Sequence, residues 1–171
     1  MLRLTRISSI RNALLVGMLA LSTFSLVMTP SAEASSIRRS DLQITASFSE
    51  PRVRPNAQTL IIITAQNNGP EFSGGTINFN VSRKFYPVAL NGNGMQCSHK
   101  EGHFFDVPVW DVTCTKSKID APSLGGERII FTTMAPEKPG TYELMAGITP
   151  HYTRDINEDN NRAGAKITVA P

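Results

Sequence analysis

The stretch TLIIITAQNNGPEFSGGTINFNVS, residues 59–82, contains two segments in which apolar side chains recur at every second position. The apolar positions are Ile61, Ile63 and Ala65 in the first segment, and Ile77, Phe79 and Val81 in the second. Because successive side chains of a strand point to opposite faces, this spacing predicts two strands that are each buried on one face. Between the segments, NNGPEFSGG is rich in Asn, Gly and Pro, the residues that turns favour.

Strand-like segments also occur outside this stretch. They are residues 41–49, 109–115, 128–134, 141–149 and 163–169, with turn-forming runs such as NGNG, PSLGGE, APEKPG and NEDNN between segments. No window shows a helical stripe longer than a turn or two. About seven short strands with one apolar face each predict an all-β protein, an antiparallel immunoglobulin-like β-sandwich whose two sheets bury each other's apolar faces.

The first 34 residues have the features of a secretory signal peptide. Arg3, Arg6 and Arg11 precede an apolar run over residues 13–28, and the sequence Ala32-Glu33-Ala34 offers a small-x-small cleavage site. The run is about 16 residues, shorter than the roughly 20 that a membrane-spanning helix requires. We therefore expect cleavage after Ala34, a short linker at 35–40 and a sandwich domain at 41–171. The protein is expected to be exported to the periplasm, the cell surface or the medium, without membrane insertion after cleavage.

The charge of the chain depends on this cleavage. The full sequence has 17 basic and 14 acidic residues, and without the three arginines and one glutamate of residues 1–34 it has 14 and 13. The 137 residues that remain are nearly neutral and carry no basic stripe, so we expect no nucleic-acid partner.

Both cysteines lie in CSHKEGHFFDVPVWDVTC, residues 97–114, and three interpretations compete. An exported chain and a hairpin-like excursion favour a disulfide between Cys97 and Cys114. A zinc site could instead be assembled from this segment, and a reactive Cys97 thiol is the third interpretation. The zinc ligands would come from Cys97, His99, His103, Asp106 and Cys114. The zinc spacing lacks a Cys-x-x-Cys pair, which makes the disulfide the favoured prediction.

A weak metal candidate occurs in the acidic stretch DINEDNN. Asp155, Asn157 and Asp159 match the first, third and fifth positions of a calcium loop, but Asn160 and Lys166 occupy positions that require Gly and Glu. A polar turn between the last two strands is the favoured interpretation. We therefore predict no metal and no other cofactor.

Aromatic residues cluster in the middle of the chain and are the first candidates for a partner-binding surface. They are Phe85, Tyr86, Phe104 and Phe105. Exposed aromatic side chains make binding platforms for proteins or sugars. The interpretation that we favour for the group as a whole is that the phenylalanines cap the sandwich core, and for Trp110 we expect a core position.

The motifs in residues 59–82 resemble the strand–NNGP–strand unit of bacterial immunoglobulin-like domains of the CARDB type. MQCS and DVTCT resemble the paired-cysteine strands of such modules, and APEKPGTYELMAGIT with DINEDNNRAGAKITV resembles their last two strands. The resemblance covers roughly residues 41–170. It implies an immunoglobulin-like fold and a role in bacterial cell-surface or adhesion-related proteins.

The sequence contains no Gly-x-Ser-x-Gly elbow, no His-Glu-x-x-His pair and no phosphate-binding glycine loop. The favoured function is therefore a non-enzymatic binding or structural module of the bacterial envelope that contacts a protein or a glycan. One alternative is a subunit of a larger surface assembly that pairs through edge strand 41–49 or 163–169. The other is a metal-binding protein or enzyme that uses the segment 97–114.

Overall fold

The computed structural model describes residues 39–171. The predicted signal peptide, residues 1–34, and the first four residues of the predicted linker lie outside the described residues.

Twelve strands build the described part of the chain. They are β1 (Arg39–Ser40), β2 (Leu42–Phe48), β3 (Arg52–Val53), β4 (Gln58–Asn67), β5 (Gly75–Ser82), β6 (Tyr86–Asn91), β7 (Gln96–Phe104), β8 (Val107–Lys116), β9 (Glu127–Met134), β10 (Gly140–Pro150), β11 (Arg154–Asp155) and β12 (Arg162–Val169). Two short 3₁₀ turns, Pro122–Leu124 and Glu158–Asn160, lie in the loops.

The strands form two facing sheets and a small third one. The six-stranded sheet has the order β3-β12-β10-β5-β8-β7, the four-stranded sheet has the order β2-β4-β9-β6, and β1 pairs with β11. All pairings are antiparallel except β1–β11 and β12–β3, which are parallel. The predicted all-β immunoglobulin-like sandwich is confirmed.

The core lies between the two large sheets and is built from the alternating residues of both. In β4 the buried positions include Ile61, Ile63 and Ala65, and in β5 they include Ile77 and Phe79. Each of these five side chains has no measurable exposure. The sequence period of two therefore becomes one buried face per sheet.

Two long strands, β6 and β7, are absent from the seven predicted ones. Seven of the nine residues of β7 and four of the six residues of β6 are exposed. Most side chains of β7 are polar, so no apolar alternation marks that strand, and β6 contains Pro87, which is unfavourable in strands, at an irregular pairing with β9.

The predicted linker at 35–40 also ends earlier than expected. Arg39 and Ser40 form β1, and Ser40 is fully buried, with its hydroxyl 2.6 Å from the Thr153 hydroxyl. The backbone N–H of Ile156 donates to the Ser40 carbonyl at 2.9 Å. The domain therefore begins at or before Arg39.

The NNGP turn is organised by Asn67, which is 5% exposed at the end of β4. Its side-chain oxygen accepts hydrogen bonds from the backbone N–H of Gly69 at 3.0 Å and of Asp41 at 3.3 Å. Its amide nitrogen donates to the Glu71 carbonyl at 2.7 Å. A Cβ at Gly69 would lie 2.5 Å from the Asp41 nitrogen, so the chain packs here as closely as glycine allows.

The sandwich has one covered side and one open side. On the covered side β2 lies against β12, and the backbone N–H of Leu42 donates to the Asp155 carboxylate at 2.9 Å. On the open side β6 and β7 are the last strands of their sheets. The sequence suggests two edge strands. Residues 41–49 contain β2, which lies at the end of the four-stranded sheet. Residues 163–169 lie in β12, which is not an edge because β3 pairs with its residues Thr168 and Val169. Within residues 39–171, no helix has the length and apolar character that crossing a membrane requires.

Candidate partner-binding surface

Strands β7 and β8 form a long hairpin whose connection is only two residues long. Their register runs from Gln96 opposite Thr115 to Phe104 opposite Val107. The two connecting residues, Phe105 and Asp106, have φ of 45° and 64°. Positive φ at both central residues is the requirement of a type I′ turn, which suits the twist of antiparallel strands.

A disulfide joins the two strands of this hairpin. Cys97 and Cys114 are direct cross-strand partners, their Cα atoms are 4.1 Å apart, and their sulfurs are bonded at 2.05 Å. The favoured sequence prediction is confirmed, and the zinc-site and reactive-thiol alternatives are wrong because both sulfurs are consumed by the bond. Gly92 lies so close to the Cys97 sulfur that any side chain would collide with it.

The preceding β5–β6 turn holds the stem of the hairpin. The Trp110 indole N–H donates to the Phe85 carbonyl at 2.9 Å, and the Arg83 N–H donates to the Pro108 carbonyl at 3.1 Å. The Arg83 guanidinium also pairs with Glu101 at 2.7 Å and lies 5.7 Å from the Trp110 ring centroid. These contacts fix the direction in which the hairpin points.

The end of the hairpin, residues 104–107, is called the hairpin tip below. Strand β5 pairs with β8 only as far as Val109, so the tip extends past its neighbouring strand. Phe105 is 87% exposed, Val107 is 55% exposed and Phe104 is 42% exposed. The two phenylalanine rings contact each other with centroids 4.7 Å apart. The tip therefore presents adjacent apolar side chains on a fixed support.

One of the four predicted contact residues does not belong to this surface. Phe85 has no exposed area, and its ring packs against Phe48 at 5.9 Å and Tyr142 at 5.6 Å. The correction has a local cause, because Phe85 closes the β5–β6 turn and points inward, whereas Tyr86 points outward and is 72% exposed. Trp110, which we expected in the core, is only partly buried and packs against the core from outside.

Sequence reasoning missed the exposed valines beside the aromatic residues. Val88 is 54% exposed at the irregular pairing of β6 with β9, and Val107 belongs to the tip. Both were unremarkable in the sequence because a valine in a strand normally predicts a buried position.

The acidic loop is held by its first residue. Asp155 is buried, and its two oxygens accept the backbone N–H groups of Leu42 and Asn157, each at 2.9 Å. Asn157 and Asp159 are exposed. Within residues 39–171, no group of three or more His, Cys, Asp or Glu side chains could hold a metal ion. Asp155 thus fastens the loop to β2.

The comparisons with known proteins give structural similarities. No family model matches the sequence, and no curated protein matches it. The chain is similar to the CARDB domain of a Pyrococcus furiosus protein, with 15% identity, a TM-score of 0.45, and 78% of this chain and 98% of that chain covered. A CARDB domain, the kind of domain that the sequence motifs resemble, is among the solved structures that are similar to this chain.

Two further solved structures are similar to the chain. A non-cellulosomal cohesin from Archaeoglobus fulgidus shares 8% identity, with a TM-score of 0.47 and coverage of 77% of this chain and 92% of that chain. A bacterial hydrophobin shares 16% identity, with a TM-score of 0.46 and coverage of 76% and 94%.

Proposed function

We propose that the protein is an exported, non-enzymatic binding module of the bacterial envelope, and that its hairpin tip inserts into an apolar pocket of a partner protein. The observation that carries the proposal is Phe105, an aromatic residue that is 87% exposed and has a φ of 45°.

A phenylalanine at this position works against the stability of the chain. Left-handed backbone costs a residue with a Cβ roughly 1–2 kcal/mol, and Asn or Gly would fill a type I′ turn with less strain. The ring recovers little of this cost, because most of its surface faces water. Strained and exposed residues are concentrated at functional sites, where the surroundings hold them in place. Here the disulfide and the Trp110 hydrogen bond supply that support.

The chemistry of the tip favours a protein pocket over a lipid surface. Asp106 lies between Phe105 and Val107, so its carboxylate would enter the apolar layer of a membrane together with the two side chains. A protein pocket can offer that carboxylate a hydrogen-bond donor at its rim. The tip is also convex, which suits a concave partner.

Two other parts of the proposal are export and the absence of enzymatic activity. The first rests on the expected compartment, and the second rests on the chemical groups at the tip. The predicted signal peptide at 1–34 and a disulfide both fit an oxidising compartment outside the cytoplasm. The groups at the tip are apolar side chains and the single carboxylate of Asp106, a set that suits contact with a partner better than the combined nucleophile, base and orienting group of a catalytic site. Adhesion-related surface contact is the role that we propose for such a module.

Photo-crosslinking tests the proposal directly. A bacterial host would export the full chain with p-benzoyl-phenylalanine in place of Phe105, and a second sample would carry it in place of Leu124. Leu124 is a matched control because it is 70% exposed in a loop away from the hairpin. We expect a discrete protein adduct at position 105, competed by the unmodified chain and not seen at 124.

Three other outcomes would contradict the proposal. Equal adducts at both positions would mean non-specific contact, and crosslinking to lipid alone would assign the tip to a membrane. An adduct with twice the mass of the chain would support the alternative of a self-assembling surface subunit.

A further inference from the structure

An open groove of about 970 Å³ crosses the outer face of the six-stranded sheet. Its floor includes Asn78 and Asn80 of β5 and Gly147 of β10. Phe104 forms part of one wall, and the loop that precedes β12 forms part of the opposite wall. This volume is near the upper end of the roughly 300–1,000 Å³ that is typical of small-ligand sites.

The two asparagines in the floor use only part of their hydrogen-bonding capacity within the protein. The Asn78 oxygen accepts from the Thr113 hydroxyl at 2.9 Å, and the Asn80 amide nitrogen donates to Asp111. Among residues 39–171, the Asn78 amide nitrogen and the Asn80 oxygen have no protein partner. The floor therefore offers donors and an acceptor on one strand face.

The opposite side of the groove is lined by a buried residue, Asn161, that carries an unpartnered polar atom. Asn161 is 9% exposed, and its side-chain oxygen has no hydrogen-bond partner within the described part of the chain. Its backbone groups are both used, since its N–H donates to the Glu158 carbonyl and its carbonyl accepts from Ile148. A buried acceptor without a partner is costly, and because this oxygen is enclosed, a donor from a ligand reaches it only when the groove wall shifts.

The groove also carries apolar surface and balanced charge. Phe104 and Met145 are 42% and 48% exposed and both contribute to its lining. The lining contains four exposed charged side chains, Arg154, Glu158, Asp159 and Arg162, and the buried carboxylate of Asp155. Two positive and two negative groups at the rim favour a ligand without net charge.

We propose that this groove binds a neutral oligosaccharide. Sugar hydroxyls both donate and accept hydrogen bonds, which matches the free amide groups of Asn78 and Asn80. The C–H face of a pyranose ring can pack on the Phe104 ring, as apolar groups pack on aromatic faces.

An extended peptide fits the groove less well. Peptides that bind sheets by strand addition require unpaired backbone groups at a sheet edge. Strands β5 and β10 lie inside the sheet and are paired on both sides. The floor of the groove can therefore contact a ligand only through side chains, as is usual for sugars.

The test uses the full chain, exported and labelled with ¹⁵N, and titrates it with cellotriose, maltotriose and chitotriose as three separate probes. We expect saturable amide shifts at Asn78, Gly147 and Asn161 with at least one probe, with a Kd on the order of 1 mM or tighter. No shift with any probe, or shifts confined to residues 105–107, would overturn the proposal. Shifts at the same amides with a neutral Ser-Thr octapeptide and none with the sugars would also overturn it.

A blocking variant with a matched control sharpens the test. Gly147→Tyr should fill the groove, and a Cβ at Gly147 meets only the Asn161 carbonyl at 3.6 Å, an ordinary contact. Thr141→Tyr adds the same side chain to the same face of β10, about 20 Å away. We expect Gly147→Tyr to weaken sugar binding at least about tenfold and Thr141→Tyr to leave it unchanged. Equal binding by both variants would contradict the site.

The proposal does not depend on the function assigned to the hairpin tip. Phe105 is not part of the groove lining, so Phe105→Asn should fail to compete with the photo-crosslinking chain for the protein partner and should preserve sugar binding. Loss of sugar binding in Phe105→Asn with retention in Gly147→Tyr would place the sugar at the tip instead.

Discussion

Replacing the two turn residues by Asn-Gly should make the protein more stable while removing its proposed contact. In the variant Phe105→Asn/Asp106→Gly, the φ values of 45° and 64° would be held by the residue pair that type I′ turns prefer. We estimate a gain of about 1 kcal/mol at position 105 and about 0.5 kcal/mol at position 106 from reduced backbone strain.

The losses in this variant are smaller than the gains. Phe105 is 87% exposed, so its removal returns little apolar surface to water, and its edge contact with Phe104 contributes about 0.5 kcal/mol. The net expectation is a stabilisation of about 1 kcal/mol. For a domain of this size, that corresponds to a rise in Tm of about 4 °C.

Thermal unfolding followed by circular dichroism measures the stability, and competition with the photo-crosslinking chain measures the contact. Tyr86→Asn is the matched control, since Tyr86 is 72% exposed in β6 but does not have positive φ. Asn is unfavourable in strands, so this control should show no stabilisation. A lower Tm for the double variant, or undiminished competition by it, would refute the strain argument.

Three further sets of variants probe the stability of the domain. Replacing Cys97 and Cys114 by Ala removes a cross-link between residues 17 apart and should lower the free energy of unfolding in urea by about 3 kcal/mol. Lys116→Met removes the 2.6 Å ion pair of Glu127, whose side chain is 2% exposed, and should cost about 3 kcal/mol, much of it recovered in Lys116→Met/Glu127→Leu. Gly92→Ala should lower the Tm measurably through its collision with the Cys97 sulfur, and a Cys97→Ala background should relieve most of that loss.

The sequence predicts the central strands because a strand that is buried on one face requires apolar residues at every second position. Ile61, Ile63 and Ala65 recur at every second position, the spacing of one strand face, and the structure buries all three. The same reasoning fails for β7, whose residues are mostly polar and exposed, and for β6, which contains Pro87 and pairs irregularly with β9. It also fails for Glu127, whose burial depends on a lysine that a different strand supplies.

The candidate contact residues show a similar division. Their aromatic character was visible in the sequence, but the inward turn of Phe85 and the outward turn of Tyr86 depend on the β5–β6 connection. The strain at Phe105 could not be predicted, because Phe-Asp is not a pair that signals a type I′ turn. The groove could not be predicted from the sequence either, because Asn78 becomes part of it only when the loop before β12 folds beside the sheet.

The two proposed sites share one structural support, and this makes the disulfide more than a stabilising bond. Phe104 lies in the groove wall, and its ring packs against the Phe105 ring with centroids 4.7 Å apart. The position of the hairpin therefore sets the shape of both surfaces. Beyond Val109 the hairpin has no neighbour from β5, and the Cys97–Cys114 bond joins its two strands at the opposite end. Opening that bond should therefore loosen both surfaces together, whereas Phe105→Asn and Gly147→Tyr should each affect only one. Measuring crosslinking and sugar binding in the reduced protein distinguishes a shared support from two independent sites.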